Sequence, residues 1–408
     1  MADIPQSGVR AGVVADMLRR GWQQFAAFSP GSAMDVRVFF APGRVNLIGE
    51  HIDYNGGHVL PAALKEGTWV FARARSDRMA RFASFNYPKV VASSIDGLAY
   101  RAEDDYANYP KGVIWAALCD QMPFVGADFL FVGNLPSRAG LSSSASIEMA
   151  TALAVAALSG STRARLQLVK LAQRAENAFV GVNCGIMDQF AVGLGKAGHA
   201  LLLNTATLDY EPTPFQTGDY RLVIVNTNKQ RGLTDSRYNE RRAECEAVLA
   251  TVQRRMPAVR HLAELSIGEW ELCANDVESP AGQKRGRHVV TENKRVIEAA
   301  VALRAGRLPV FGELMKQSHE SLRDDYEVTG YELDTLAEAA WDVPGCIGAR
   351  MTGAGFGGCT VNLVHGDALV RFQDEVGRRY RDATGLTAAF YVSEIGAGAR
   401  EVTEEARA

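Results

Sequence analysis

Apolar positions recur at helical spacing over residues 9–28 (VRAGVVADMLRRGWQQFAAF), which predicts an amphipathic helix that Gly31 and Ser32 then break. Residues 36–40 read as a strand, and 69–75 and 81–85 alternate in strand fashion. Residues 109–120 predict a helix, and 128–135 predict a short apolar strand ending at Pro136. A loop at 140–144 leads into 145–158, which is apolar on nearly every side and so predicts a buried helix. Gly160 stands where its C-terminal cap belongs. A helix over 166–179, a loop over 182–188 and a strand over 200–203 follow. The proline-containing stretch 209–215 is the expected domain boundary, dividing the chain into 1–214 and 215–408. Beyond it the pattern predicts a strand at 221–226 and a charged helix over 236–252. A mostly polar stretch (277–297) overlaps the first of two further helices, 291–304 and 309–320. A glycine-rich segment (345–358), a strand (360–364) and a helix near 368–384 complete the pattern.

Composition narrows the picture only a little. At 408 residues the chain has room for two or three domains, and 47% apolar with 22% charged residues is ordinary for a globular enzyme. A net charge of −3 argues against a non-specific nucleic-acid binder, and no nucleic-acid partner is expected. The longest strongly apolar segment, 145–158, carries Glu148 and falls short of the ~20 residues that span a bilayer. The opening MADIPQSGVRAG lacks the apolar core of a signal peptide. Six cysteines are scattered singly, with no C-x-x-C pair or zinc-ligand spacing, as in a protein with reduced thiols. The expectation is a cytoplasmic monomer without a membrane partner.

Three segments carry candidate chemistry. PSRAGLSSSAS at 136–146, between a strand and a buried helix, sets backbone N–H groups at a helix N-terminus, a natural phosphate site. A serine hydroxyl there can reach Mg²⁺, although a plain serine cap is the simpler alternative. There is no G-x-x-x-x-G-K-[ST] in the chain, so the phosphate loop is not of the Walker type. The second segment places Arg44, Asn46, Glu50, His51 and Asp53 within ten residues, with glycines on both sides. Its carboxylates and imidazole suit the hydroxyls of a polyol, and its arginine suits phosphate. The third is CGIMDQ at 184–189 with Asp188, preceded by a helix carrying Glu176. Taken singly, these two acids also fit a helix cap and a solvated helix face. GAGFGG at 353–358 formally fits G-x-G-x-x-G but leads into a strand, so a glycine-rich contact loop is expected instead of a dinucleotide fingerprint.

Together these segments resemble the GHMP small-molecule kinases and, within them, the galactokinase branch. The resemblance rests on GRVNLIGEHIDYNGGHVLP at 43–61, GLSSSAS at 140–146, CGIMDQF at 184–190 and MTGAGFGGC at 351–359. NYPKGV at 108–113, SRYNERR at 236–242 and SHESLRDDYEV at 318–328 support it, over about residues 36–400. It implies an α/β (α+β) fold of two domains, ribosomal-S5-like and ferredoxin-like, with the site between them. It implies ATP and Mg²⁺ as cofactors, and galactose as the substrate, phosphorylated at its anomeric hydroxyl. Asp188 and Arg44 would be catalytic. Glu50, His51, Ile52, Asp53, Gly185 and Tyr238 would hold the sugar. Arg138, Ala139, Gly140, Leu141, Ser142, Ser143 and Ser144 would cradle the nucleotide, with Ser144 and Glu176 on the metal. Ile52 stands where threonine is common, and Arg138 where a small residue is common. A kinase for N-acetylgalactosamine or L-arabinose, and a non-catalytic sugar sensor, are the competing readings.

Overall fold

The computed structural model describes residues 7–136, 140–229 and 234–407, without the side chains of 7–11 and 234–236. The first half contains α1 (Ser7–Phe28), β1 (Arg37–Asn46), β2 (His58–Val59), β3 (Pro61–Ala74), β4 (Met79–Ser84) and β5 (Val91–Ser94). It continues through α2 (Asn108–Cys119), β6 (Ala127–Gly133), α3 (Ser143–Leu158), α4 (Arg165–Arg174), α5 (Met187–Leu194), β7 (His199–Asn204) and β8 (Tyr210–Pro214). The second half contains β9 (Tyr220–Asn226), α6 (Thr234–Arg255), α7 (Ile267–Cys273), α8 (Pro280–Arg304), α9 (Leu308–Ser321) and α10 (Tyr331–Trp341). It closes with β10 (Cys346–Thr352), β11 (Cys359–His365), α11 (Leu369–Thr384), β12 (Ala389–Ser393), β13 (Arg400–Glu401) and α12 (Thr403–Arg407).

A six-stranded sheet runs β13-β1-β3-β6-β4-β5, antiparallel except for the β4–β6 pair. Helix α1 covers one face of it through Trp22, Phe25, Phe71 and Val132. The other face takes the alanine-rich α3, whose small side chains let it lie close to the strands and to the neighbouring helices. A four-stranded antiparallel sheet, β10-β11-β9-β12, is packed by α10 and α11 around Phe372, Val376 and Tyr380. A small third sheet pairs β2, β7 and β8.

Two local irregularities prepare the site. Pro42 cannot donate to the ladder, and the β1–β3 register slips between Pro42 and Arg44. The Arg44 N–H then donates to the Leu141 carbonyl at 3.1 Å, tying the serine loop to β1. The glycine-rich segment is a turn joining β10 to β11, with φ of 85°, 77°, 123° and 90° at Gly353, Gly355, Gly357 and Gly358. It is therefore no dinucleotide fingerprint, as the strand after it implied.

Three stretches differ from the sequence reading. The proline-containing stretch 209–215, not expected as a strand, contains β8, which uses prolines at an edge position where no N–H is missed. The glycine-rich segment conceals β10, and residues 280–290 of the polar stretch 277–297, not expected as helix, form the first half of α8. There Arg285 is 2% exposed because Glu244 and Glu327 neutralise it. All six cysteines are free thiols. Among the described residues no helix is long and apolar enough to cross a membrane.

Candidate active site

A cavity of about 130 Å³ opens between the two halves, lined by Arg44, Glu50, His51, Asp53, Glu176 and Asp188, with Gly185, Tyr238 and Gly353 beside them. Arg44, 4% exposed, grips the Asp188 carboxylate with two bonds, Nε to Oδ1 at 2.9 Å and Nη2 to Oδ2 at 3.0 Å. Its Nη1 donates to the Gly140 carbonyl at 2.6 Å. Ser142 sits just before α3 in a left-handed conformation, φ 57°, and makes no side-chain cap. Its hydroxyl donates to Asp188 Oδ2 at 2.5 Å instead. The simple-cap alternative for this serine thus fails, and the loop is joined directly to the acid.

The acid-rich loop approaches from the other side. Asp53 is crowded by burial and by the Asp188 charge, which push its carboxyl up to about 6. A Cβ on Gly185 would lie 1.9 Å from Asp53 Oδ2, so only glycine leaves the carboxylate its place. Glu50, 1% exposed, is ion-paired with the fully buried Arg350 and accepts the Gly353 N–H at 2.9 Å. Burial raises its carboxyl against the pull of Arg350. His51 adopts φ 63° and turns its ring toward Tyr238 and Tyr326. Burial drives its imidazole down to about 3. The Tyr238 hydroxyl is pushed up by burial and by Asp53.

Glu176 and Glu148 form a buried pair of acids behind Asp188. Gln189 Nε2 donates to Glu148 Oε2 at 3.0 Å and to Glu176 Oε2 at 2.5 Å. Burial and the Asp188 charge hold the Glu176 carboxyl at about 7, against the opposing pull of the Ser144 hydroxyl, the Cys184 thiol and Gln189. Burial and the Glu176 charge raise the Glu148 carboxyl well above the ordinary carboxylate range. Hydroxyl and carboxylate oxygens are hard donors of the type Mg²⁺ takes, and Ser144 with Glu176 already forms such a pair. Among the described residues no cluster of three or more His, Cys, Asp or Glu side chains is arranged to hold an ion alone.

Of the expected residues, Arg44, Glu50, His51, Asp53, Glu176, Gly185, Asp188 and Tyr238 line this cavity. Ile52, expected among the sugar contacts, does not: its side chain is fully buried in the apolar core and packs under Gly57, leaving the cavity wall to its neighbours. Its carbonyl accepts the N–H groups of Asn55 and Gly57 at 3.1 and 2.8 Å, which closes the turn, so Ile52 shapes the loop and lines nothing. Leu141 is likewise buried, Ser143 is exposed at the start of α3, and Arg138 and Ala139 lie outside the described residues. Sequence reasoning missed Glu148, Gln189, Arg350 and Tyr54. Only Glu148 left a signal, as the single charge in an otherwise apolar helix.

The galactokinase galactose-binding signature matches residues 23–74. The GHMP kinase N-terminal domain matches 108–196, and the GHMP kinase C-terminal family matches 299–382. The galactokinase of Halalkalibacterium halodurans is 50% identical over 375 residues, 92% of this chain and 95% of that protein. The chain belongs to the galactokinase family. The Bacillus subtilis galactokinase is 47% identical over 380 residues, 92% of this chain and 97% of its own. The crystal structure of Lactococcus lactis galactokinase complexed with galactose superposes with a TM-score of 0.91 at 44% identity, over 94% of this chain and 99% of that one. Methanococcus jannaschii mevalonate kinase shares the fold, with a TM-score of 0.63 at 17% identity over 90% of this chain and 99% of that one. The two-domain GHMP kinase fold and the sugar-kinase activity of a galactokinase, with ATP as co-substrate, follow for this chain.

Proposed function

We propose that the cavity between Arg44 and Tyr238 binds galactose with its anomeric hydroxyl against Asp188, and that the reaction yields galactose 1-phosphate and ADP. The observation that carries this reading is the joint hold of Arg44 and Ser142 on Asp188, at the point where the serine loop meets the acid-rich loop. Phosphoryl transfer has a loose transition state, so alignment and charge stabilisation do most of the work. Asp188 orients the attacking hydroxyl and takes its proton. Three bonds from Arg44 and Ser142 fix the carboxylate, so that proton moves late, as the new P–O bond forms. Arg44 shares its charge between Asp188 and the transferring phosphoryl.

Asp53, Glu50, His51 and Tyr238 surround the remaining hydroxyls, with Gly185 giving Asp53 its room. Residues 138–144 and the N-terminus of α3 take the nucleotide phosphates. Mg²⁺, held by Ser144 and Glu176, would neutralise charge on the phosphate oxygens, in keeping with its habit of using few protein ligands beside substrate phosphates. On the same reading the chain divides near residue 214, with residues 400–407 returned to the first part. It works as a cytoplasmic monomer, a setting in which reduced cysteines persist.

The test is ADP release measured over galactose, N-acetylgalactosamine, L-arabinose and 1-deoxygalactose. Galactose should have the highest kcat/KM, and 1-deoxygalactose should inhibit competitively without releasing ADP. ADP release driven by 1-deoxygalactose would overturn the anomeric assignment.

A further inference from the structure

The imidazole of His51 lies within a buried chain of hydrogen bonds that ends at the Ala354 carbonyl and whose direction follows atom by atom. Its Nε2 lies 3.2 Å from the Ala354 carbonyl, which can only accept, so Nε2 carries the hydrogen. The ring is neutral, its imidazole held down at about 3 mainly by burial, so Nδ1 offers a bare lone pair. The Tyr54 hydroxyl, 2.9 Å away, therefore donates to Nδ1. Having spent its one hydrogen, Tyr54 accepts from the Tyr326 hydroxyl at 2.8 Å. Tyr326 in turn accepts from the Cys245 thiol at 3.1 Å. Burial raises both phenols and the thiol, the latter to about 11, so every donor keeps its hydrogen across the working pH range.

The chain crosses the molecule at the cavity. Cys245 belongs to α6, Tyr326 to the turn after α9, Tyr54 and His51 to the acid-rich loop, and Ala354 to the glycine-rich turn. His51 and Ala354 both line the cavity. The left-handed φ of 63° at His51 is unfavourable for a residue with a Cβ, and it is retained where it aims the ring along this chain.

We propose that Tyr54 and Tyr326 are positioning residues for sugar recognition. Through a hydrogen-bond chain of fixed polarity they hold His51 and Ala354 as one wall of the sugar pocket. The proposal rests on the placement of galactose in this cavity.

Nitrogen-15 imidazole spectra of the full-length protein test it, with His51 identified by the signal lost in His51→Asn. A neutral Nε2–H tautomer for His51 at pH 6 supports the chain; an Nδ1–H tautomer or a ring that titrates near its ordinary value overturns it, whatever the sugar does. Adding galactose should shift the His51 signal. An unmoved signal with the expected tautomer overturns the sugar placement, and the positioning role with it, while leaving the bond order intact. Tyr54→Phe should move the Nδ1 resonance to its unbonded value and raise the galactose KM about tenfold, since a buried acceptor loses its donor, with the ATP KM unchanged. Tyr326→Phe should raise the galactose KM less, because Tyr54 keeps its hydrogen for His51. Equal effects of the two variants, or parallel rises in both KM values, would overturn the assigned order.

Discussion

Gly185 and Glu176 show how single positions set the chemistry of this cavity. A methyl group on Gly185 would stand 1.9 Å from Asp53 Oδ2 and drive the carboxylate aside. Gly185→Ala is therefore expected to raise the galactose KM by about tenfold or more, as overpacking of this severity costs ~1–3 kcal/mol. A KM within twofold of wild type would count against Asp53 as a sugar ligand. Glu176 carries the opposite kind of cost. Its folded carboxyl lies at about 7, above the ordinary 4.5, so the folded state binds the proton more tightly than the unfolded state. Stability from this group is then present at low pH and is lost as pH rises from about 4.5 through 7. In the absence of nucleotide and metal, Glu176→Gln should gain on wild type by about 1–3 kcal/mol between pH 5 and pH 8 in urea denaturation. The same variant should need a higher Mg²⁺ concentration for half-maximal ADP release. A gap that shrinks with rising pH would contradict this account of the buried acid.

At the scale of elements, the last strand and helix fasten the first sheet from the far end of the chain. Strand β13 pairs with Phe39 and Phe40 of β1, closing an edge that would otherwise stay open. The Thr403 hydroxyl accepts the Val38 N–H at 3.0 Å, and Trp22 Nε1 donates to the Ala406 carbonyl at 2.6 Å. Deletion of residues 400–408 is expected to lower stability by about 2–4 kcal/mol, with each lost bond contributing ~1 kcal/mol. An unchanged urea midpoint would show that this return contributes nothing. None of it was legible in the sequence, because two-residue strand pairing leaves no periodic pattern. The long periodic elements were legible: α1, α2, α3, β9 and α11 lie within a few residues of their expected bounds. Strand β10 was hidden because Gly348 within it, and Gly345 and Gly353 just beyond its ends, read as loop. Helix α8 was half hidden because a buried arginine and its acid partners look like a solvated face.

The whole molecule brings three distant segments to one place, and sequence motifs could name them without giving their geometry. Arg44, the serine loop, Asp188 and the acid-rich loop were each visible as residue types in suggestive company. That Ser142 would bond Asp188 instead of capping α3, and that Ile52 would face the core, depended on a left-handed φ and on the turn that Ile52 closes with Asn55 and Gly57. Neither is written in the pattern. The ion pair of Glu50 with Arg350, buried across the two halves, was invisible because it joins positions 300 residues apart. The central claim is that this convergence makes Asp188 the acceptor of the sugar's proton. Asp188→Asn keeps the size and most of the hydrogen bonding of the side chain but removes its capacity as a base. The account predicts that this variant still binds galactose within about tenfold of wild type by calorimetry, while kcat for ADP release falls about 10²–10⁴-fold. Turnover within tenfold of wild type, with galactose binding intact, would contradict it.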